Sequence, residues 1–354
     1  MRILNPLQTL SAAAALALLT GCSGGGSSAI APKPISPQGS VRTLMGHVPS
    51  VLSPIGQLKI NTNTGRHFVS HYSCPATGPI KYMSDFNNSV INVYVGPFAG
   101  QAPCGQITSG LLNPDGMYVK TTTHDLYVAN EGAFDILVFH RGQTTAYNTY
   151  TDPTGQFPVD VTMAKDGTII ASNILQVSGG ETGSLSTWIT GPNGGTFVGN
   201  FAMTNDTEGL FVTVQKNGTV YYNDLDATTG AGALWSLTCP AGACGAQTQV
   251  AGVSFSDPGG MESDAGEDLL ANDQIAVTAD TFELPNPTPA TFPLAGDPVG
   301  MAINKLDHHW FIADAVNDNA GEYLYPSGTA VGTVPGNSGG LPIGVAVDPG
   351  HTLK

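Results

Sequence analysis

Charge is scarce in this chain: 11% of its 354 residues are Asp, Glu, Lys or Arg, and 12 basic residues stand against 27 acidic ones, for a formal net charge of −15. A grip on nucleic acid needs clustered Lys and Arg to neutralise phosphates, so that class of function is excluded. The acidity reads instead as a solvated exterior. Catalytic signatures are missing as well. The sequence has no H-E-x-x-H pair, no P-loop and no C-x-x-C-H haem attachment, and Ser338-Gly339-Gly340, within the G-x-S-x-G match at 336–340, reads as a turn without a neighbouring base rather than a nucleophile elbow. The apolar stretch Ala12–Leu19 is too short to span a bilayer comfortably.

What is abundant is Gly, with 45 residues, and Pro, with 25, a composition of strands and tight turns rather than helices. One phrase recurs through residues 80–354. It has a Pro-x-Gly opening, a short strand, a turn, a second strand closing on Asn or Asp, and a third alternating strand. The openings are Pro114-Asp115-Gly116, Pro158-Val159-Asp160, Thr207-Glu208-Gly209, Pro258-Gly259-Gly260, Pro298-Val299-Gly300 and Pro342-Ile343-Gly344, so they return every 40 to 51 residues. The second strands close at Asp85, Asn130, Asn173, Asp224, Asp273 and Asp314. The first of these has no opening before it, and the last opening has almost nothing after it. The expected fold is therefore all-β, a six-bladed β-propeller closed by pairing the C-terminal strand with the N-terminal blade. Third strands are expected at Val90–Val95, Asp135–Phe139, Leu185–Ile189, Ala233–Leu237, Ile275–Val277 and Glu322–Tyr325; the fourth, outer strands are less clear.

Arg2, the apolar stretch and small residues before Cys22 have the plan of a secretory signal, assigned to residues 1–21. Leu19-Thr20-Gly21-Cys22 resembles the bacterial lipobox, which implies lipidation of Cys22; Ser23, not Asp, implies an outer-membrane anchor where the host has one. Residues 22–40, rich in Gly, Ser, Ala and Pro, read as a flexible tether. Residues 41–79 read as an N-terminal extension or cap, and 80–354 as the propeller. Setting Cys22 aside leaves an even set in an exported chain. Cys239 and Cys244 bracket a short Pro- and Gly-containing loop and are expected to pair, which leaves Cys74 for Cys104. A four-thiolate zinc site is the rival, but the spacing lacks paired C-x-x-C knuckles.

The phrase Pro-x-Gly, then Tyr127-Val128-Ala129-Asn130, then Val90-Ile91-Asn92-Val93-Tyr94 and their copies, is similar to the NHL-repeat propellers of bacterial exported proteins. That architecture hosts binding modules and enzymes alike. Around the ring, three adjacent openings carry a carboxylate, Asp115, Asp160 and Glu208, and acids gathered there suit Ca2+ or another hard divalent cation. Pro114-Asp115-Gly116 and Glu208-Gly209 also resemble phrases of the gluconolactonase and regucalcin propellers, in which a divalent metal sits at the channel mouth; the Asn-bearing openings of that group have no counterpart here. Asp in Pro-Asp-Gly is equally a routine turn former. The recurring Asn and Asp at the second-strand ends read as structural, bonding the next turn.

His124 and His308-His309 read as solvated turn residues, and Trp188, Trp235 and Trp310 as packing between blades. Asp257–Asp273, with six acids, reads as a solvated acidic edge or a Ca2+ loop. The function expected is that of an exported, lipid-anchored binding module. It would act as a monomer on an unknown small molecule or envelope protein, touching the membrane through its lipid only. The alternative is a metal-dependent lactonase-like hydrolase using Asp115, Asp160 and Glu208.

Overall fold

The computed structural model describes residues 68–96, 101–176, 182–204, 208–226, 229–284, 288–304 and 309–350. The signal 1–21, the lipidation residue Cys22, the tether 22–40, most of the extension, Thr207 and His308 lie outside the described residues.

Alternation of side chains along a strand explains why these strands are apolar on both faces. In Asp125–Asn130, Leu126 and Val128 pack toward Ile80, Ile91 and Val93 of the preceding blade, while Tyr127 and Ala129 pack toward Val161, Ile169 and Trp188 of the following one. A strand wedged between two neighbours has no solvent face, so its hydrophobic run is nearly continuous. The core is accordingly divided into wedges between blades. Trp188 and Trp310 are buried there as expected, and their indole N–H groups donate to Thr151 O at 3.2 Å and Leu324 O at 2.9 Å. Trp235 lies flat against Tyr222, with ring centroids 6.3 Å apart.

Five blades are four-stranded antiparallel sheets taken in sequence order, with inner strands Pro114–Lys120, Gln156–Met163, Glu208–Val214, Pro258–Ser263 and Pro298–Asn304. Their outer strands are Asn148–Thr151, Thr196–Ala202, Thr248–Gln249, Ala290–Pro293 and Thr329–Pro335. The remaining sheet closes the ring. Its inner strand, Pro342–Asp348, pairs with Ile80–Asp85, which pairs with Val90–Val95 and then Gly105–Ile107. Each inner strand contacts the next all the way round, so the chain forms a closed six-bladed β-propeller. A fifth strand, His71–Tyr72, adds to the outer edge of the closing blade, where Cys74 is bonded to Cys104. The other disulfide joins Cys239 to Cys244.

The Pro-x-Gly opening has a steric reason. A Cβ on Gly260 would come within 2.3 Å of Met301 N, on Gly300 within 2.1 Å of Ile343 O, on Gly344 within 2.2 Å of Asp115 O, and on Gly116 within 2.2 Å of Asp160 Oδ1. At four joints, then, adjacent inner strands meet at a distance that only glycine permits. The ladder to the second strand skips at the same place, between Pro114 and Met117, Pro258 and Met261, and Pro298 and Met301. Such a bulge turns the strand toward the axis.

The acids and amides closing the second strands tie down the loop that leads into the inner strand. Asn130 Oδ1 accepts from Leu112 N at 2.7 Å, Asp273 Oδ2 from Ser256 N at 2.6 Å, Asp314 Oδ1 from Asp297 N at 3.0 Å, and Asp85 Oδ1 from Leu341 N at 3.1 Å. Asp85, Asp273 and Asp314 also accept from the hairpin that follows, through Asn88 N, Ala276 N and Asn317 N.

In the fifth unit the third strand is Thr278–Phe282, not Ile275–Val277. Ile275 is 52% exposed and Val277 holds a φ of 53°, so this apolar triplet is a turn that Asp273 organises. The acidic stretch Asp257–Asp273 is not a uniform solvated edge: Asp257 and Asp273 are buried, and Asp264 Oδ1 caps its own turn by accepting from Gly266 N and Asp268 N.

Candidate functional site

Asp115 and Glu208 stand at the start of their inner strands and Asp160 midway along its own, and all three are buried. Asp115, Asp160 and Glu208 are each less than a tenth exposed, and Glu131, in the 3-10 turn after Asn130, joins them. Asp160 rests against Gly116 and its Oδ2 accepts from Val212 N at 3.1 Å, so it bridges three consecutive blades. Burial pushes the carboxyls of Glu131 and Asp160 up to about 8 and that of Glu208 up to about 7. Asp115 is raised well above the ordinary range by burial first, then by the neighbouring Glu131 and Asp160. One of its oxygens, Oδ1, is buried without a hydrogen-bond partner. Among the described residues, no group of three or more His, Cys, Asp or Glu is arranged to hold a metal ion.

A second polar assembly lies at the other end of the same strands, where the closing blade meets the blade after it. There a cavity of about 400 Å3 is lined by Tyr72, Cys74, Ala76, Thr123, His124, His140, Arg141 and Gly142. Asp348, the last residue of the closing strand, is fully buried behind it and acts as its keystone. Its Oδ1 accepts from His124 Nδ1 at 2.7 Å and Gly350 N at 2.8 Å, and its Oδ2 from Arg141 Nη1 at 2.5 Å. Arg141 Nη2 reaches back to Gly78 O at 2.6 Å, which fixes the segment after Cys74 to the blade built on Pro114–Lys120. His140 is held by Asp125 Oδ1 at 2.7 Å and stacks on Tyr147 with centroids 3.6 Å apart, while the Tyr147 hydroxyl donates to Asp125 Oδ2 at 3.1 Å.

His124 is thus not the solvated turn residue its sequence position suggests. It holds a left-handed φ of 60° at the hairpin turn, which aims the ring inward at Asp348. His309, likewise assigned to a solvated turn, bonds through Nδ1 to Glu322 Oε1 at 2.5 Å. Glu322 also pairs with Lys81 at 3.2 Å, a buried ion pair between the closing blade and its other neighbour; Lys81 lies over the Phe311 ring, 3.4 Å from its centroid. Burial pulls the Lys81 ammonium down to about 6, with Glu322 opposing the shift. None of the cavity residues shares a motif; the one sequence signal was two His and an Arg on adjacent turns of one blade in an acidic chain.

No protein-family model and no curated protein matches the sequence. In three dimensions the ring is similar to a chain of the nidogen–laminin complex, with a TM-score of 0.58 at 11% identity over 76% of this chain and 98% of that one. It is similar also to a protein of unknown function from Bacteroides caccae, with a TM-score of 0.55 at 9% identity over 77% and 99%. The calcium-binding regucalcin of Agrobacterium tumefaciens aligns at 0.48 and 13% identity over 64% and 75%, too far in shape to bear on chemistry here. These likenesses define the class, a six-bladed β-propeller, and no more.

Proposed function

We propose that the chain is an exported, lipid-anchored propeller of the NHL type that works as a binding module, with the cavity between the closing blade and its successor as its ligand seat. The observation that carries this reading is the cavity itself. It has the size of a small-molecule site, and its polar side chains are locked by buried partners rather than left to rearrange. The two disulfides fit an oxidising compartment, extracellular or in the envelope. The carboxylates Asp115, Asp160 and Glu208 suit a hydrolytic metal centre less well, because burial favours their neutral forms and Asp160 is already engaged.

A small-molecule library screened by thermal melting tests the reading. At least one compound is expected to raise the melting temperature of the native chain and leave Ala76→Trp unshifted, since Ala76 is an exposed wall residue. Stabilisation by ligand grows with its concentration relative to Kd, so about 100-fold excess gives roughly 2.7 kcal/mol. A screen with no cavity-dependent shift sinks the reading. Ca2+ added to the same melts examines the hydrolase alternative, which requires a shift abolished by Asp115→Asn with Glu208→Gln. Lipid attachment has its own test: Cys22→Ala is expected to move the protein from the membrane fraction to the soluble fraction of the envelope, and a variant that stays membrane-bound refutes the anchor.

A further inference from the structure

Positive charge is so sparse that its location is informative. Among the described residues Arg141 is the only arginine, and the lysines are Lys81, Lys120, Lys165 and Lys216. The described histidines are His71, His124, His140 and His309. The one arginine and two of those four histidines line a single cavity, together with the Tyr72 phenol and the Thr123 hydroxyl.

The hydrogen bonds there are unbalanced in favour of donors. Asp348, the carboxylate behind the cavity, is already met by His124, Arg141 and Gly350. Asp125 is met by His140 and Tyr147. Arg141 spends Nη1 on Asp348 and Nη2 on Gly78 O and Pro75 O, while its Nε is buried with no partner. An unpaired buried donor on a guanidinium is costly to leave unmade, and Arg141 is the guanidinium that lines this cavity, so its charge favours an acceptor seated there. A cationic ligand would face the guanidinium, and a purely apolar one would leave Nε as it is. Cys74, Ala76 and Gly142 supply small walls beside the Tyr72 ring, so the rest of the ligand is compact and apolar or aromatic.

We propose that the cavity between the closing blade and its successor seats a small organic oxyanion, a carboxylate or phosphate ester on a compact apolar body, with Arg141 as its principal donor. The proposal rests on the reading of that cavity as the ligand seat and adds the chemical class. Arg141 is pre-aimed by Asp348 and Gly78, so little side-chain ordering is left for the ligand to impose. Because Cys74 forms one wall and is tied to Cys104, the disulfide holds the site's outer rim.

Calorimetric titration of the full chain with benzoate, phenyl phosphate and the neutral isostere benzamide tests this. At least one anion is expected to bind with a Kd of about 1 mM or tighter, and benzamide at least about tenfold more weakly. Arg141→Gln should weaken the anion by about tenfold or more. Should that variant fail to fold for want of the Asp348 partner, Thr123→Trp fills the cavity from an exposed turn without touching the pair and should abolish binding. Carboxylate preference over phosphate, or the reverse, identifies which oxyanion the seat accepts. The proposal is overturned if neither anion binds at about 10 mM, roughly tenfold above that limit, or if an anion binds equally to native protein and Thr123→Trp. Cavity-dependent binding of benzamide alone overturns the oxyanion and leaves the ligand seat standing, whereas no cavity-dependent binding by any compound removes both.

Discussion

Deleting residues 342–354 will unfold the protein rather than trim it. The deletion removes the inner strand of the closing blade, and with it the buried side chains Ile343, Val345 and Ala346 and the ladder to Ile80–Asp85. It also strips Asp348 from Arg141 and His124, and Gly344 from Ser84, whose hydroxyl accepts from Gly344 N at 2.7 Å. Burying a Val or Ile side chain contributes about 1.5–3 kcal/mol, so the strand as a whole is worth on the order of 5–10 kcal/mol, comparable with the entire stability of a domain. Urea titration followed by circular dichroism should show the deleted chain already unfolded, or unfolding without a cooperative transition. Removing residues 351–354 alone is the control and should leave the midpoint near native. A 342–354 deletion that unfolds at the native midpoint would mean the ring does not depend on this closure.

Stability should fall as pH rises from about 5 to about 8, the opposite of what paired surface carboxylates produce. Glu131 and Asp160 are held up to about 8 and Glu208 up to about 7, from ordinary values of 4.5, 3.8 and 4.5. Below about pH 4 both folded and unfolded chains carry these protons, and the favourable difference is fully present. Between there and about pH 8 the unfolded chain releases them while the folded one holds them, so each pH unit costs up to about 1.4 kcal/mol per group. Above about 8 the folded acids ionise as well and their decline ends, while Lys81, neutral in the fold and charged in the unfolded chain, turns the slope upward. Lys81, held down to about 6, offsets one such group above about pH 6, and the net loss in melting temperature across this window is on the order of 20 °C. Glu131→Gln with Glu208→Gln should flatten the curve and leave the variant more stable than native at about pH 8. A native melting temperature that is level or rising over the same window contradicts the burial of these acids.

The blade count, the closure and both disulfides were legible because each follows from chain logic. A strand buried on both faces must be apolar throughout, Pro-x-Gly marks where inner strands touch, and a displaced half-repeat can be completed only by the other end of the ring. Ile275–Val277 departs from the expected strand for the same reason, since apolar content marks a strand only where no turn has begun, and Asp273 begins one here. The candidate site was legible only in part. Asp115 and Asp160 lie close together, but whether a carboxylate faces solvent or is sealed between blades depends on a missing Cβ at Gly116, two blades from the backbone N–H that Asp160 serves at Val212. The cavity was not legible at all. Its walls come from residues 72–76, 123–124 and 140–142, and its keystone is Asp348, four places that only the ring brings together.

Ring closure also leaves one strand waiting. Ser84 and Gly344 bond across a separation of 260 residues, so Ile80–Asp85 has no inner partner until nearly all the rest of the chain has been laid down. An unpaired strand edge is a template for another copy, and a lysine along such an edge discourages that pairing by keeping its ammonium in water. Lys81 stands there, second in the strand, and when the ring shuts its Nζ passes from water to Glu322 and the face of Phe311. The same side chain thus places a charge on the open edge of the unclosed ring and a contact across the joint of the closed one.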